Sequence, residues 1–367
     1  MKKVRHLLGI SGGKDSAALA IYMQQNYPNL EIEYYTTDTG KELKETYDLI
    51  DNLENYLGKK IKRLKSYEGS NEAPFDHKLK SLMGFLPSAQ NRWCTKYLKL
   101  DPFEKFVGDD LVISYVGIRG DEDREGYISR KSNIQSIFPF RKNIWSEDVM
   151  QKFLNNSNLE NLMNFYSSLD LGSKKDRILE IVKTPISLDF QLSQKLNILL
   201  DLGIIAFNNA VFSFLKTTSY PLAVEEEFPL IENKDILVRD DIFKLLRESN
   251  VGVPGYYEKI DFEVNGQIGQ YARSRSGCYF CFYQQKIEWI WLYEQHPDKF
   301  QQAIDYEKDG YTWIQDETLS DLIKPARITQ IKEEYLKRSK RNSQPQSPYL
   351  IDILEDAEGE GCASCFI

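Results

Sequence analysis

A loop near the N-terminus combines the residue types that hold phosphate groups. It comprises Ser11, Gly12, Gly13, Lys14, Asp15 and Ser16. The apolar run at residues 4–10 predicts a buried strand before the loop, and residues 17–25 predict a helix after it. Backbone N–H groups and the helix dipole favour an anion there, glycines allow close approach, Lys14 adds a positive charge and Asp15 could contact Mg²⁺ indirectly. The spacing differs from that of a Walker A loop.

This segment resembles the SGGxDS signature of the PP-loop ATP pyrophosphatases, which cleave ATP between the α and β phosphates. The resemblance implies that residues 11–16 bind the pyrophosphate part of ATP; a glycine-rich turn capping an ordinary helix is the alternative. Asp38 ends the strand predicted at residues 31–37, where an open parallel sheet normally meets a nucleotide. The resemblance places Asp38 against the adenosine or Mg²⁺, and the alternative is a cap for the next helix.

A third candidate element follows the strand predicted at residues 111–117. Arg119 and Arg124 could clamp phosphate, while Gly117 and Gly120 permit close approach. The stretch resembles the GIRxxExxxR sequence of the phosphoadenosine phosphosulfate (PAPS) reductase branch of the PP-loop family, although a surface ion-pair cluster would also explain its charges. Catalytic roles are assigned to Lys14, Asp15, Arg119 and Arg124. ATP-binding roles are assigned to Ser11, Gly12, Gly13, Lys14, Asp15, Ser16, Asp38 and Gly117.

Three of the five cysteines are candidates for a metal centre. Two residues separate Cys278 from Cys281, so both thiolates could bind one centre, and Cys94 could supply a third ligand. Cysteines at matching positions in PAPS reductase relatives bind a [4Fe-4S] cluster, and the resemblance implies such a cluster here. Structural zinc and inert buried thiols are the alternatives. Those relatives carry a Cys-Cys pair where this chain has Cys94-Thr95.

A second Cys-x-x-Cys pair, Cys362 and Cys365, lies in an acidic segment near the end of the sequence. This pair could complete the cluster site, carry a persulfide or form a redox disulfide. Reductases of the PAPS branch end instead in a Glu-Cys-Gly-x-His motif with one nucleophilic cysteine. That motif does not occur in this sequence.

The order of predicted elements indicates how these groups are positioned. Predicted strands alternate with helices, which indicates an α/β protein with a parallel sheet covered by helices on both faces. The resemblance specifies an adenine nucleotide alpha hydrolase-like fold. Residues 1–150 are predicted to form the PP-loop domain and residues 151–250 a helical insertion. Residues 251–340 are predicted to be a cysteine-containing region packed on the first domain, and residues 341–367 a flexible acidic tail.

Composition limits the class of protein and its partners. Hydrophobic residues make up 41% of the 367 positions and charged residues 28%, which excludes a disordered chain or a coiled coil. The net charge of -8 argues against a polycation that neutralises phosphates, so DNA would be presented mainly through partner proteins. Residues 337–341 form a local basic patch.

The sequence predicts a cytoplasmic protein with no membrane association. The most apolar stretch, residues 196–215, is interrupted by Asp201, Asn208 and Asn209, and it predicts a buried helix pair. The basic start is followed by an apolar run that ends at Ile10, which is too short for a signal peptide. Reducing cytosol favours metal, cluster or catalytic roles for the thiols.

Combining a pyrophosphatase loop with a three-cysteine centre indicates sulfur chemistry. Adenylation turns an oxygen into a leaving group, and a sulfur nucleophile can then displace AMP. The leading interpretation is an enzyme similar to the Dnd and Ssp members of bacterial DNA phosphorothioation systems, which serve antiviral defence. That resemblance implies ATP, Mg²⁺ and a [4Fe-4S] cluster as cofactors, with a cysteine desulfurase as sulfur donor and other phosphorothioation subunits as partners.

Three other interpretations remain open. A sulfonucleotide (PAPS) reductase would use the same fold without cleaving ATP. A tRNA thiolation enzyme would share the adenylation chemistry. A nucleotide-binding scaffold with structural zinc would release no AMP from ATP.

Overall fold

A five-stranded parallel sheet is the centre of the computed structural model, which describes residues 3–122, 131–308, 310–315 and 317–342. Its strands are β1 (Arg5–Gly9), β2 (Ile32–Thr37), β3 (Ile61–Leu64), β4 (Val112–Tyr115) and β5 (Ile134–Ile137). They lie in the order β3-β2-β1-β4-β5, and every neighbouring pair is parallel. The carboxyl ends of β1, β2 and β4 therefore share one edge of the sheet.

Helices cover both faces of the sheet. The first five are α1 (Lys14–Asn26), α2 (Lys44–Leu57), α3 (Pro74–Ser81), α4 (Trp93–Thr95) and α5 (Asp101–Val107), with a π-helical turn, Lys96–Leu100, between α4 and α5. Leu8 and Ile113 pack in the core that contains α1 and α2. Leu7 and Val112, on the opposite face, pack with α5. Alternate residues of each strand thus face opposite layers, and the predicted α/β class is confirmed.

Two element boundaries differ from the predictions in a way that matters for the site. Helix α1 begins at Lys14, three residues before its predicted start, because Gly13 adopts extended dihedral angles and ends the loop. Lys14, Asp15 and Ser16 therefore form the first turn of the helix. Strand β4 ends at Tyr115, so Gly117 and the residues after it lie in a loop at the carboxyl edge.

The middle of the chain is helical. Its helices are α6 (Glu147–Phe153), α7 (Leu159–Ser167), α8 (Lys175–Lys183), α9 (Leu192–Leu215) and α10 (Arg239–Glu248). Their buried residues continue the core that contains α1 and α2. Tyr22 on α1 donates a hydrogen bond to Asn233 at 3.1 Å and another to Asp235 at 2.8 Å, which joins the helical segment to the sheet layer.

Helix α9 is the apolar stretch predicted as a helix pair. Gly203 interrupts its helical dihedral angles, so two helical parts meet there, as predicted. Within the described ranges, α9 alone has the length and composition of a membrane-spanning helix, a test that core helices also pass. Phe207 and Val211 of α9 are buried in the protein core.

The C-terminal part of the described chain has its own core. A hairpin of β6 (Ile260–Val264) and β7 (Gln267–Tyr271) turns at Asn265-Gly266, both with positive φ angles. Asn-Gly is a strong hairpin signal that the sequence analysis did not use. The remaining helices are α11 (Lys286–Gln295), α12 (Pro297–Tyr306), α13 (Leu319–Leu322) and α14 (Pro325–Asn342). Phe75 of α3 and Trp93 of α4 belong to this second core, which therefore reaches the sheet layer.

Candidate functional site

The loop at residues 11–16 is held in a tight space between β1 and α1. Gly12 has a φ of 72°, and a Cβ atom there would lie 2.2 Å from Thr46 Cγ2. A Cβ on Gly13 would lie 2.6 Å from Ser276 Oγ. Both positions therefore require glycine, because any side chain would displace the elements packed on the loop.

The two serine hydroxyls close the loop into one turn. Ser11 N–H donates to Ser16 Oγ at 3.1 Å, and the two hydroxyl oxygens lie 3.1 Å apart. Ser16 Oγ also donates to the Gly13 carbonyl at 3.2 Å. Hydroxyl and amide donors are thus concentrated at the N-terminus of α1, the arrangement that suits a phosphate.

A buried charge group lies directly beside this turn. Arg119 Nη1 is 2.8 Å from Asp15 Oδ1 and 2.8 Å from Glu122 Oε1, and Arg119 Nε is 2.8 Å from Asp121 Oδ1. Lys14 Nζ is 3.2 Å from Asp15 Oδ2. The side chains of Lys14 and Asp15 are 9% and 4% exposed, so these charges interact with little screening by solvent.

Burial and pairing act in opposite directions on the two cations. Burial lowers the pKa of Lys14, although the charge of Asp15 opposes this. Burial also acts to lower the pKa of Arg119, but Asp15 and Glu122 outweigh it and the net shift in pKa is upward. Three carboxylates surround these two cations, a balance that suits a nucleotide bound with Mg²⁺, which takes one or two carboxylates together with phosphate oxygens.

Gly117 has a packing role in this site. A Cβ atom at Gly117 would lie 2.9 Å from the Asp15 carbonyl oxygen. The close contact brings the loop after β4 against the first turn of α1, and so places Arg119 on Asp15. Arg124, the other arginine predicted to clamp phosphate, lies outside the described residues.

Asp38 lies at the end of β2, as predicted. Its Oδ1 accepts hydrogen bonds from Gly40 N–H at 2.8 Å and from the Tyr47 hydroxyl at 3.0 Å, and Lys65 Nζ lies 3.1 Å from Oδ2. Helix α2 begins at Lys44 and receives no side-chain cap. Asp38 therefore does not cap that helix; it holds the turn after β2 and fixes Tyr47.

The cysteine pair meets the sheet at this same edge. Cys278 Sγ is 3.1 Å from Thr39 Oγ1, and Tyr279 N–H donates to the Lys41 carbonyl at 3.0 Å. Cys281 N–H donates to the Cys278 carbonyl at 3.2 Å, so the pair lies on one tight turn. Cys278 is thus next to the residues that follow Asp38.

Cys94 lies in the same region as this pair. Burial, and then the proximity of Cys281, raise the pKa of Cys94 to about 11. The pKa values of Cys278 and Cys281 are also raised, in both cases mainly by burial. The structure therefore gathers the three predicted thiols from two distant parts of the sequence. Cys362 and Cys365 lie outside the described residues.

Comparison with known proteins agrees with this architecture. Residues 5–162 match a family model described as the phosphoadenosine phosphosulfate reductase domain, a segment that contains all five strands of the sheet. The match supports a PAPS reductase-like family. An uncharacterized protein of Methanocaldococcus jannaschii is 33% identical over 145 residues, which is 36% of this chain and 28% of that protein. The chain therefore aligns with less than a third of this relative's length.

Two tyrosines outside the PAPS reductase-like segment contact the loop at residues 11–16, and the sequence analysis missed both. The Tyr256 hydroxyl donates to the Gly12 carbonyl at 3.1 Å. Lys14 N–H donates to the Tyr257 hydroxyl at 3.4 Å, and Lys14 Nζ lies 5.0 Å from the centre of the Tyr257 ring. The Gly255-Tyr256-Tyr257 run after a proline was the available signal, but no local pattern shows which element it contacts.

Glu42 is another functional candidate that the sequence analysis missed. Its carboxylate accepts hydrogen bonds from Thr39 Oγ1 at 2.7 Å and the Tyr47 hydroxyl at 2.9 Å. Burial, together with the charge of Asp38, raises the pKa of Glu42. Since Glu42 also forms a β-bridge with Cys278, it connects the end of β2 to the cysteine turn.

The cysteine region fits a thiolate-bound centre in ligand type and charge. Lys99, Arg273 and Arg275 act to lower the pKa of Cys281, so cations face the place where thiolate charge would develop. Within the described part of the chain, no group of three or more His, Cys, Asp or Glu side chains is arranged to hold a single metal ion. Metal binding by Cys94, Cys278 and Cys281 therefore stays a prediction.

Proposed function

We propose that the protein is an ATP pyrophosphatase that forms AMP and pyrophosphate and thereby activates a phosphate oxygen for replacement by sulfur, as in bacterial DNA phosphorothioation. The observation that supports this most is the buried group of Lys14, Asp15 and Arg119 at the N-terminus of α1. These residues belong to a segment that matches a nucleotide-utilising family. The group offers cations to a nucleotide and carboxylates to its Mg²⁺.

In this proposal the loop acts as a PP-loop. Lys14, Ser16 and the N–H groups at the start of α1 stabilise the leaving pyrophosphate, where negative charge develops. Arg119 binds the α phosphate, together with Arg124. Asp15 positions Lys14 and Arg119, because a different carboxylate oxygen contacts each cation. Asp38, at the next strand end, faces the adenosine or Mg²⁺.

The reaction has two displacements. A non-bridging oxygen of the acceptor phosphodiester attacks the α phosphorus of ATP, the bond to the β phosphate breaks, and pyrophosphate leaves. Hydrosulfide then attacks the acceptor phosphorus, and the activated oxygen departs with AMP. The product is a phosphorothioate, and no electrons are exchanged in either step when the sulfur arrives at the level of sulfide.

The three cysteines would hold a [4Fe-4S] cluster in this proposal, which would supply an open iron to bind sulfur. In a [4Fe-4S] cluster each cysteine binds a different iron, so the sulfur atoms can lie farther apart than in a site where they all bind one zinc ion. A cysteine desulfurase would deliver sulfur in the cytoplasm as a persulfide, and a dithiol reductant would supply the two electrons that reduce this sulfur to sulfide before the second displacement. The other phosphorothioation subunits would present DNA to this acidic protein.

The test combines product analysis in vitro and in the host. Purified protein with Mg²⁺ and ATP is expected to release AMP and pyrophosphate by hydrolysis, with water attacking the α phosphorus in place of the acceptor oxygen. Lys14→Ala is expected to abolish this release with an unchanged circular dichroism spectrum. Lys44→Ala removes an exposed lysine from α2 and is the matched control. Release of ADP and phosphate, or full turnover by Lys14→Ala, would contradict the proposal.

Mass spectrometry of nuclease-digested nucleic acids then identifies the acceptor. A host that carries Lys14→Ala is expected to lose a sulfur-bearing dinucleotide from DNA. Loss of a thionucleoside from RNA instead would identify a tRNA thiolation enzyme. No change in either, with no AMP release, would favour the scaffold interpretation.

A second candidate is a sulfonucleotide reductase, which the description of the matching family favours. That chemistry needs a nucleophilic thiolate, which reductases of the PAPS branch carry in a Glu-Cys-Gly-x-His motif that does not occur in this sequence. Formation of sulfite from PAPS in the presence of a dithiol reductant, without ATP cleavage, would establish the reductase.

A further inference from the structure

A cavity of about 500 Å³ lies beside the cysteine turn, between the loop that follows Cys281 and helix α14. Its wall includes the rings of Phe282, Trp313 and Tyr335. The volume is within the range of pockets that bind small molecules or parts of larger ones. Flat aromatic walls favour a flat aromatic ligand, because ring stacking is most favourable between such surfaces.

Gln284 lines this cavity and has an unusual environment. Its side chain is only 7% exposed, and neither the amide nitrogen nor the amide oxygen has a hydrogen-bond partner in the described structure. A buried amide without hydrogen-bond partners destabilises a protein, because the loss of its hydrogen bonds to water is not compensated. A ligand edge with a donor next to an acceptor would satisfy both atoms. Nucleobases present such an edge, and glutamine pairs with that of adenine in two hydrogen bonds.

The charge at the cavity favours a ligand that carries phosphate. Arg338 lines the cavity from α14, and it is exposed together with Lys337 and Lys340 on the same final turns of the helix. Glu334 is the acidic residue on this wall, and its carboxylate accepts a hydrogen bond from Gln330 at 2.8 Å. Cations therefore outnumber carboxylates along this end of α14, although the whole chain is acidic.

The cavity is adjacent to the cysteine turn. Gln284 N–H donates to the Cys281 carbonyl at 2.9 Å, so the cavity wall begins at the cysteine turn. The other cysteine of that turn, Cys278, contacts Thr39 at the carboxyl edge of the sheet. A ligand in the cavity would thus be held next to the place where sulfur chemistry is proposed.

We propose that this cavity binds one unpaired nucleobase of a single-stranded nucleic acid. The base stacks on the aromatic wall, Gln284 bonds its edge, and Arg338 with Lys337 binds the flanking phosphates. Single strands suit this arrangement because their bases can leave the stack, whereas a base within a duplex would first have to be flipped out. The inference rests on the proposed function only in taking the sulfur acceptor to be a nucleic acid.

Fluorescence anisotropy with short labelled oligonucleotides, in the absence of ATP, tests this. The full chain is expected to bind single-stranded DNA or RNA more tightly than duplex. Gln284→Leu should weaken binding about tenfold and reduce any preference for adenine. Its Tm should stay equal or rise, because leucine keeps the volume and removes the unsatisfied amide. A purely structural glutamine would show the opposite change in Tm.

Arg338→Ala is the second variant, and Arg247→Ala, an exposed arginine of α10, is its control. Arg338→Ala should weaken binding to all sequences and reduce the salt dependence of binding, whereas Arg247→Ala should change neither. Parallel DNA and RNA probes of one sequence show which strand is preferred.

Two results would overturn this inference: no binding of single strands, or equal affinity of Gln284→Leu and the unmodified protein. Failure of this inference can be distinguished from failure of the proposed function, because AMP release is measured in a separate experiment. Oligonucleotide binding without AMP release would refute the ATP pyrophosphatase and leave the base pocket standing.

Discussion

The phosphate loop and the cysteine region meet the same edge of the sheet but differ in how they carry charge. In the loop, Lys14 and Arg119 are both paired with the carboxylate of Asp15. In the cysteine region, burial raises the pKa of every thiol, that of Cys94 to about 11, so the thiols are neutral near pH 7. The loop is therefore organised for a charged ligand before that ligand binds, whereas the thiols become ligands only when a metal or cluster replaces their protons.

This difference indicates a division of labour. A preorganised charge group acts on charge that develops in a reaction, as ATP cleavage requires. Neutral, buried thiols are poor nucleophiles but suitable ligands, which argues for binding rather than attack by these cysteines. Breaking one region should therefore affect nucleotide chemistry, and breaking the other should affect metal content.

Arg119→Ala should have the largest effect after Lys14→Ala. It removes the cation that joins Asp15 to Glu122, and AMP release should fall by about 100-fold, the scale seen when one preorganised charge-stabilising group is lost. Initial rates with saturating ATP and Mg²⁺ measure this, and Arg247→Ala serves as the control. An undiminished rate would assign Arg119 to a structural ion pair alone.

Cys278→Ser should affect metal content strongly. Protein purified without oxygen is expected to be brown and to contain iron, and the variant should lose both colour and iron, because a hydroxyl is a much weaker ligand than a thiolate. Elemental analysis and absorbance measure the change. Zinc instead of iron in the unmodified protein would indicate a structural zinc ion and not a cluster. Iron retained by the variant would show that Cys278 is not a required ligand.

The loop was predictable from sequence because its determinants are local. Two glycines between an apolar strand and a helix determine the turn locally, whatever the order of the strands in the sheet. The pairing of Asp15 with Arg119 depends on β4 lying beside β1, a strand order that no local pattern gives. Tyr257 is more distant still, reaching Lys14 from across 243 positions of the sequence.

The cysteine region was predictable only in outline. The Cys278-x-x-Cys281 spacing indicates a shared turn, but the approach of Cys94 follows from the second core, which Trp93 joins directly beside it. Glu42 and Gln284 gave no sequence signal, because an acidic or amide residue is ordinary at the surface and unusual only once it is buried. Such residues can be identified from the structure, in which their burial and their hydrogen-bond partners are known.

Gly117→Ala should have a moderate effect on the junction between β4 and α1. The added Cβ would lie 2.9 Å from the Asp15 carbonyl, and overpacking of this kind costs about 1–3 kcal/mol. Urea unfolding measures the loss, and AMP release should fall with it because Arg119 moves. Gly255→Ala is the matched control, since its Cβ would meet no atom within 4 Å. Equal free energies of unfolding for the two variants would show that the loop after β4 shifts to accommodate the added Cβ without loss of stability.

The smallest effect concerns the ionisation of Cys94 in metal-free protein. Its pKa is raised to about 11 by burial and then by the negative charge of Cys281, so the rate of alkylation by iodoacetamide should keep rising with pH and level off only above that value. Cys281→Ser removes the second cause, and the midpoint should move to lower pH by a modest amount, because burial remains. Peptide mass spectrometry follows Cys94 alone. If the midpoint of Cys94 alkylation is the same in Cys281→Ser, Cys94 does not interact with Cys281. Cys94 would then be excluded as a ligand of a centre that also binds Cys278 and Cys281.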